Sequence, residues 1–103
     1  VTNINTTTFT GTNTYLSFFA VKEGTNRRMG TAVLPTGNPN QVTVSNTSIT
    51  NTTRVFLTAQ TGTIANMGFL SVPTRSSGNS FVIQSSSITD NSTVAWLLVE
   101  PGA

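Results

Sequence analysis

The chain contains no cysteine and no histidine. Without cysteine there is no disulfide, no thiol nucleophile and no sulfur ligand, and nothing about redox compartment can be read. Without histidine, the commonest general base and the commonest metal ligand are both missing. Charge is scarce as well: five basic and three acidic residues, for a net charge of +2. That imbalance is too small to mark a nucleic-acid binder. No stretch approaches the roughly 20 apolar residues of a membrane-spanning helix, and no signal peptide is visible at Val1.

Thr, Ser and Asn supply about two-fifths of the chain. They are interleaved with Val, Ile, Leu and Phe in short alternating runs, and Thr itself favours strands. At 103 residues the expectation is one ordered all-β domain whose core needs no covalent staples.

The chain also repeats itself. GTAVLPT at 30–36 is echoed by GFLSVPT at 68–74, and VTVSNTSITNTTRVFLTA at 42–59 aligns without a gap on FVIQSSSITDNSTVAWLL at 81–98. Ser48-Ile49-Thr50 and Ser87-Ile88-Thr89 occupy matching places. Each copy holds an apolar segment, a Pro-Thr break, a second apolar segment, a polar arc and a third apolar segment: a three-stranded unit used twice.

Strands are expected around Thr6–Thr10, at Tyr15–Val21, Met29–Leu34, Val42–Ser45, Arg54–Ala59, Gly68–Val72, Ser80–Gln84 and Val94–Val99. Breakers separate them, among them Glu23-Gly24-Thr25-Asn26 and Thr36-Gly37-Asn38-Pro39-Asn40. Eight short strands and no α-helix predict an antiparallel β-sandwich or jelly-roll-like fold. Residues 1–14 read as a polar arm or loosely held edge strand, and residues 15–103 as a single sandwich domain. Ile49 and Ile88 are each expected to anchor their arc inward. Val94–Val99, apolar on both faces, is expected to be a central strand buried from both sides. The aromatics Tyr15, Phe18, Phe19, Phe56, Phe69, Phe81 and Trp96 are assigned mostly to the core.

Candidate chemistry is thin. The acids Glu23, Asp90 and Glu100 fall in a turn, an arc and a strand terminus, with no reason to converge as paired carboxylates must. The serines have no histidine to activate them, so no catalytic residue and no enzyme is expected. Asp90-Asn91-Ser92 offers oxygens, yet Ca²⁺ usually takes several carboxylates; Asp90 is read as a turn cap, and neither metal nor cofactor is expected. Sequons at Asn5, Asn46, Asn51 and Asn91 arise readily in such a composition. Lys22, Arg27 and Arg28 bracket one turn, which is either a solvated hairpin tip or a basic knob for an acidic partner surface. Arg54 and Arg75 near strand ends, and Phe9 in the arm, complete the candidate partner contacts. Phe18-Phe19, Arg54–Leu57 and Ala95–Leu98 carry apolar residues to both faces of a strand. One sandwich this small has little to cover the second face, which argues for an oligomer.

The stretch from Gly30 to Pro101, above all Ser80-Phe81-Val82-Ile83 through Thr89-Asp90 to Val94-Ala95-Trp96-Leu97 and Val99-Glu100-Pro101, resembles a small β-domain of tailed-phage structural proteins. Such modules occur in capsid decoration (cement) proteins, head fibres and tail-fibre tips. The resemblance implies a non-enzymatic virion protein, commonly a homotrimer, with no catalytic residues to carry over. Because the matching segment fills most of the chain, it further implies a decoration protein on the outer capsid surface. Its partners would be the major capsid protein or other virion proteins, and the polar arm would face the capsid. The alternative is a receptor- or glycan-binding module at a fibre tip, contacting a host surface glycan. That reading requires an exposed aromatic among polar loops, for instance near Asn38–Asn40 or Asn66–Met67. Nucleic acid and membrane are not expected partners.

Overall fold

The computed structural model describes residues 21–102. The strands expected at Thr6–Thr10 and over most of Tyr15–Val21, and with them Asn5, Phe9, Tyr15, Phe18 and Phe19, lie outside the described residues. Within them the chain forms seven strands: β1 (Met29–Val33), β2 (Asn40–Ser45), β3 (Arg54–Thr61), β4 (Leu70–Ser71), β5 (Arg75–Ser76), β6 (Ser80–Ser85) and β7 (Thr93–Val99). A single turn of 3₁₀ helix at Ile64–Asn66 is the only helical piece among the described residues, and it falls in the loop expected between the repeats.

The strands build two antiparallel sheets, one in the order β1-β7-β3, the other β2-β6-β4 with β5 also on β6. They face each other as a β-sandwich. Alternation sends Phe81 and Ile83 of β6 and Val94, Trp96 and Leu98 of β7 into the space between. Leu34 and Ile49 close that core. Phe81 meets Trp96 edge-on, with ring centroids 5.4 Å apart, a favoured aromatic geometry.

The repeat is written into the strand register. In the β2–β6 ladder Thr43 lies opposite Val82, and in the β3–β7 ladder Leu57 lies opposite Trp96. Each pair joins a residue to its own counterpart in the other copy. The second and third strands of the two units therefore pair about a common approximate two-fold. The first strands break this symmetry: β1 joins β7, whereas its counterpart β4 joins β6 in the opposite sheet. β4 and β5 together form one edge segment along β6, interrupted at Pro73, which has no N–H to give the ladder.

Three expectations need correction. Ile49 is fully buried, but Ile88 is 56% exposed. In the second arc the inward place is held by polar groups: Asp90, buried where its counterpart Asn51 is exposed, draws the arc onto itself. The Asn40 side chain also donates to the carbonyls of Ser87 (2.9 Å) and Asp90 (2.7 Å). β7 is the central strand of its sheet, but only its inner face is sealed; Ala95 and Leu97 stay half-buried and Val99 is exposed. Finally, Phe81 and Trp96 are core, while Phe56 and Phe69 are exposed. Phe56 stands on the outer face of β3, and Phe69 precedes the short β4 where little packs over it.

Candidate functional site

β2 and β6 run antiparallel, so the two polar arcs leave opposite ends of the sandwich. Arc 46–53 follows the end at Ser45 and Ser80, and arc 85–92 the end at Asn40 and Ser85. The ends differ in charge. All five basic residues of the chain, Lys22, Arg27, Arg28, Arg54 and Arg75, lie in or bind segments at the first end, and Asp90 is the one charged residue at the second.

At the basic end the first arc fixes the turn that precedes β1. Asn46, itself buried, donates through its amide to the Arg27 carbonyl (2.7 Å) and accepts from the Ser48 N–H (2.7 Å). The Thr47 N–H donates to Asn26 Oδ1 (3.0 Å) and the Ser48 hydroxyl to the Asn26 carbonyl (3.0 Å). Asn26 takes φ +61°, a left-handed conformation that Asn tolerates better than most side chains. The Arg28 carbonyl accepts from the Leu98 N–H at 2.7 Å. So anchored, Lys22, Arg27 and Arg28 are all exposed and, with Asn26 and Ser48, line a shallow depression of about 330 Å³.

Arg75 and Arg54 serve the arc from beneath. The Arg75 guanidinium donates to the carbonyls of Thr53 (2.5 Å) and Thr50 (3.3 Å), and that of Arg54 to Thr52 (2.7 Å). These answer arc carbonyls that have left the ladder. Glu100 is met by the hydroxyls of Thr52, Thr53 (2.8 Å) and Thr50 (2.9 Å). Hydrogen bonds from Thr52 and Thr53, then Thr50 and the charge of Arg28, hold its carboxyl below the ordinary range against a smaller desolvation.

Asp90 at the other end is a closed hub. Its Oδ1 accepts from the Ser92 hydroxyl (2.6 Å) and the Ser92 N–H (3.0 Å), and its Oδ2 from the Ser85 hydroxyl (2.7 Å) and the Gly68 N–H (3.0 Å). Desolvation works to raise its pKa, but the combined donors outweigh it and bring the carboxyl to about 2. It caps its turn, as expected of it. Glu23 and Glu100 lie toward the basic end, so the three acids do not form one carboxylate site.

Around Asp90 stand Ile64, Phe69 and Ile88, all exposed. Their segments are tied together by Phe69 N–H to Ser86 Oγ (2.7 Å) and Thr89 Oγ1 to Asn66 Oδ1 (3.4 Å). Phe69 is thus an exposed aromatic among polar loops, while the only tryptophan is in the core.

A third surface is the outer face of β1-β7-β3. Met29, Leu97 and Phe56 form one cross-strand row. Phe56 is 57% and Val33 59% exposed. Beside the row a depression of about 350 Å³ opens over Phe56, Ala95 and Leu97. Of the candidate contacts, then, Lys22, Arg27 and Arg28 come together, Arg54 and Arg75 support the arc nearby, and Phe9 lies outside the described residues. Asn26, Asn46 and Ser48 frame the basic turn; the sequence marked them only as a turn residue, a sequon and part of the repeat, because in a chain so rich in Asn and Ser they carry no local signal of this role.

No curated protein and no solved structure matches the chain. A family model does, over residues 26–99: the K1 capsule-specific polysaccharide lyase, C-terminal domain. The match runs from the basic turn through β7 and takes in both repeats, so the chain belongs to the family of that C-terminal domain.

Proposed function

We propose that this chain is a non-catalytic structural module of a phage virion appendage, of the tail-fibre or tailspike kind, and that it works as a homotrimer. The observation that carries the reading is the family match over both repeats to a domain named as the C-terminal part of a polysaccharide lyase. The resemblance seen in sequence put a capsid decoration protein bound to the major capsid protein first and a fibre-tip module second; nothing in the family match favours the decoration form over a fibre. Phage origin, virion location and partners among other virion proteins all rest on this reading.

The trimer rests on the outer face of β1-β7-β3. Its central strand is apolar on both faces, and the Met29-Leu97-Phe56 row meets water among the described residues. A second copy is the occupant that a C-terminal module of a multi-copy appendage finds beside it. A stable contact of this kind buries roughly 1,000 Å² or more in total. Sedimentation equilibrium on the full chain tests it. A mass of three chains, falling to one in Phe56→Ser, is expected; a wild-type monomer, or a trimer indifferent to Phe56→Ser, refutes this interface.

A second reading, glycan binding at a fibre tip, is favoured by exposed Phe69 among Asn66, Ser86 and Thr89. Aromatic side chains offer an apolar body beside polar groups, as sugar recognition requires.

A further inference from the structure

A neighbouring copy over the apolar outer face still leaves the edge of β3 without a partner among the described residues. We infer that residues 15–20 of one copy add to the β3 edge of the next copy, as a fourth strand of its β1-β7-β3 sheet. This exchange rests on the trimer reading above and names the contact that links its copies.

The edge itself is open. β7 pairs with one side of β3, and no described strand pairs with the other. Arg54 to Ala59 is a regular run, closed by the register shift between Ala59 and Thr61. It contains no proline and no inward-pointing charge, two of the usual guards of an edge strand. Both of its faces lack cover. Val55, Leu57 and Ala59 stand on the core side yet stay half-buried. The reason is the sheet opposite: β1 lies against β2, which leaves β3 over the side where β4 and β5 have two residues each. On the other face Phe56 is exposed.

The sequence of residues 15–20 fits that edge. In an extended chain Leu16, Phe18 and Ala20 share one face, and Tyr15, Ser17 and Phe19 the other. The first face continues the half-buried row Val55-Leu57-Ala59, and the second lies beside Phe56. An added strand gains main-chain hydrogen bonds from the edge and specificity from its alternate side chains. The other long edges suit it less. β2 shows exposed Gln41 and Thr43 on its outer face, which offers an apolar face nothing to cover. At the start of β1 the Met29 carbonyl already accepts from the Gly24 N–H (3.0 Å).

The path of the chain points to another copy. Glu23 bridges Met29 with the two segments parallel, whereas a hairpin onto β1 requires them antiparallel. The chain therefore comes to β1 from beyond the basic end, where Val21 lines a depression with Arg28, Leu97 and Val99. Tyr15 to Lys22 contains no Gly, Pro, Asn or Asp at which to turn back. Six extended residues reach about 20 Å, past that end and away from the β3 of the same chain. Exchange of an identical element between protomers is a low-cost route to an oligomer.

The test is disulfide trapping in the full chain, which has no cysteine of its own. Thr58→Cys, exposed in the middle of β3, is combined in turn with Tyr15→Cys, Ser17→Cys and Phe19→Cys. A disulfide needs Cα atoms within about 7 Å, and one of the three positions falls opposite Thr58 in every register that spans β3. After mild oxidation at least one double variant is expected to run as three covalently joined chains on a non-reducing denaturing gel, and as one chain after reduction. Each single-cysteine variant is expected to run as one chain. Before oxidation the double variants should sediment with the wild-type mass.

Disulfides that close only within one chain would overturn the inference and put residues 15–20 on the β3 of their own copy. No disulfide in any of the three double variants would overturn it as well. So would covalent dimers of the single-cysteine variants in equal yield, which would bring like residues of two copies together instead. In each of these cases a wild-type mass of three chains leaves the trimer standing. A wild-type monomer overturns the exchange and the trimer together.

Discussion

Gly30 on β1 is buried, and the Trp96 indole lies against it. A Cβ added there would sit 2.4 Å from Cζ2, 2.9 Å from Cε2 and 3.2 Å from Cη2 of that ring. Carbon atoms in ordinary contact are about 3.5–4.0 Å apart, so Gly30→Ala requires the indole to retreat by about 1 Å. It cannot do so freely: Trp96 is 4% exposed and meets the Phe81 ring edge-on at 5.4 Å. Overfilling a packed core by one methyl costs about 1–3 kcal/mol. Alanine recovers up to about 1 kcal/mol by restricting the unfolded chain. A net loss of about 1–2 kcal/mol is expected, and in a domain this small each kcal/mol lowers Tm by about 4–8 °C. Urea denaturation followed by circular dichroism measures it. Trp96→Phe supplies the second arm of a double-mutant cycle: with a smaller ring at 96, Gly30→Ala should cost less, giving a coupling of about 0.5–3 kcal/mol. Wild-type stability in Gly30→Ala, or strict additivity in the cycle, would refute the packing of Trp96 on β1.

The two isoleucines of the repeat should behave as opposites. Ile49→Ala is expected to cost about 2–5 kcal/mol, whereas Ile88→Ala should fall within about 0.5 kcal/mol of wild type; similar values would mean that the arcs share one conformation. Asp90 makes stability depend on acid. Its folded pKa of about 2 lies below the ordinary aspartate value of 3.8, so its contribution is present above pH 3.8 and is lost as pH falls through about 2. A shift of this size corresponds to on the order of 2 kcal/mol at most. Asp90→Asn should remove most of that difference between neutral and acid denaturation curves; an unchanged pH profile would show that the hub does not depend on the charge.

Strand identity was legible from sequence wherever alternation was clean. Val42 and Val44 in β2, Val55, Leu57 and Ala59 in β3, and Val94 through Val99 all lie in the strands assigned to them. The turn at Gly24–Asn26 and the break at Pro35 were legible for the same reason, because special backbone conformations select their residues. Gly68–Val72 was legible only in part. Pro73 and the departure of the chain leave β4 a two-residue ladder, and ladder length depends on the partner strand rather than on local pattern. The basic site was half legible. Lys22, Arg27 and Arg28 are adjacent in sequence, but that Asn46 and Ser48 clamp their turn follows from a contact across about twenty residues that no local pattern encodes.

By itself, the sequence determined the all-β class, the absence of cysteine and histidine chemistry, and a three-strand unit used twice. The fold then set the central pairings, in which counterparts from the two copies lie face to face, as Thr43 meets Val82 and Leu57 meets Trp96. Only the tertiary structure decided where the copies part. The same Ser-Ile-Thr buries Ile49 and exposes Ile88, because Asn40 of β2 donates to the Ser87 and Asp90 carbonyls and the Asp90 carboxylate gathers Ser85 and Ser92 inside the second arc. The same first strand enters one sheet as β1 and the other as β4. Local pattern sets which residues can be strands; which face is sealed, and by what, depends on groups that meet only once the two sheets close.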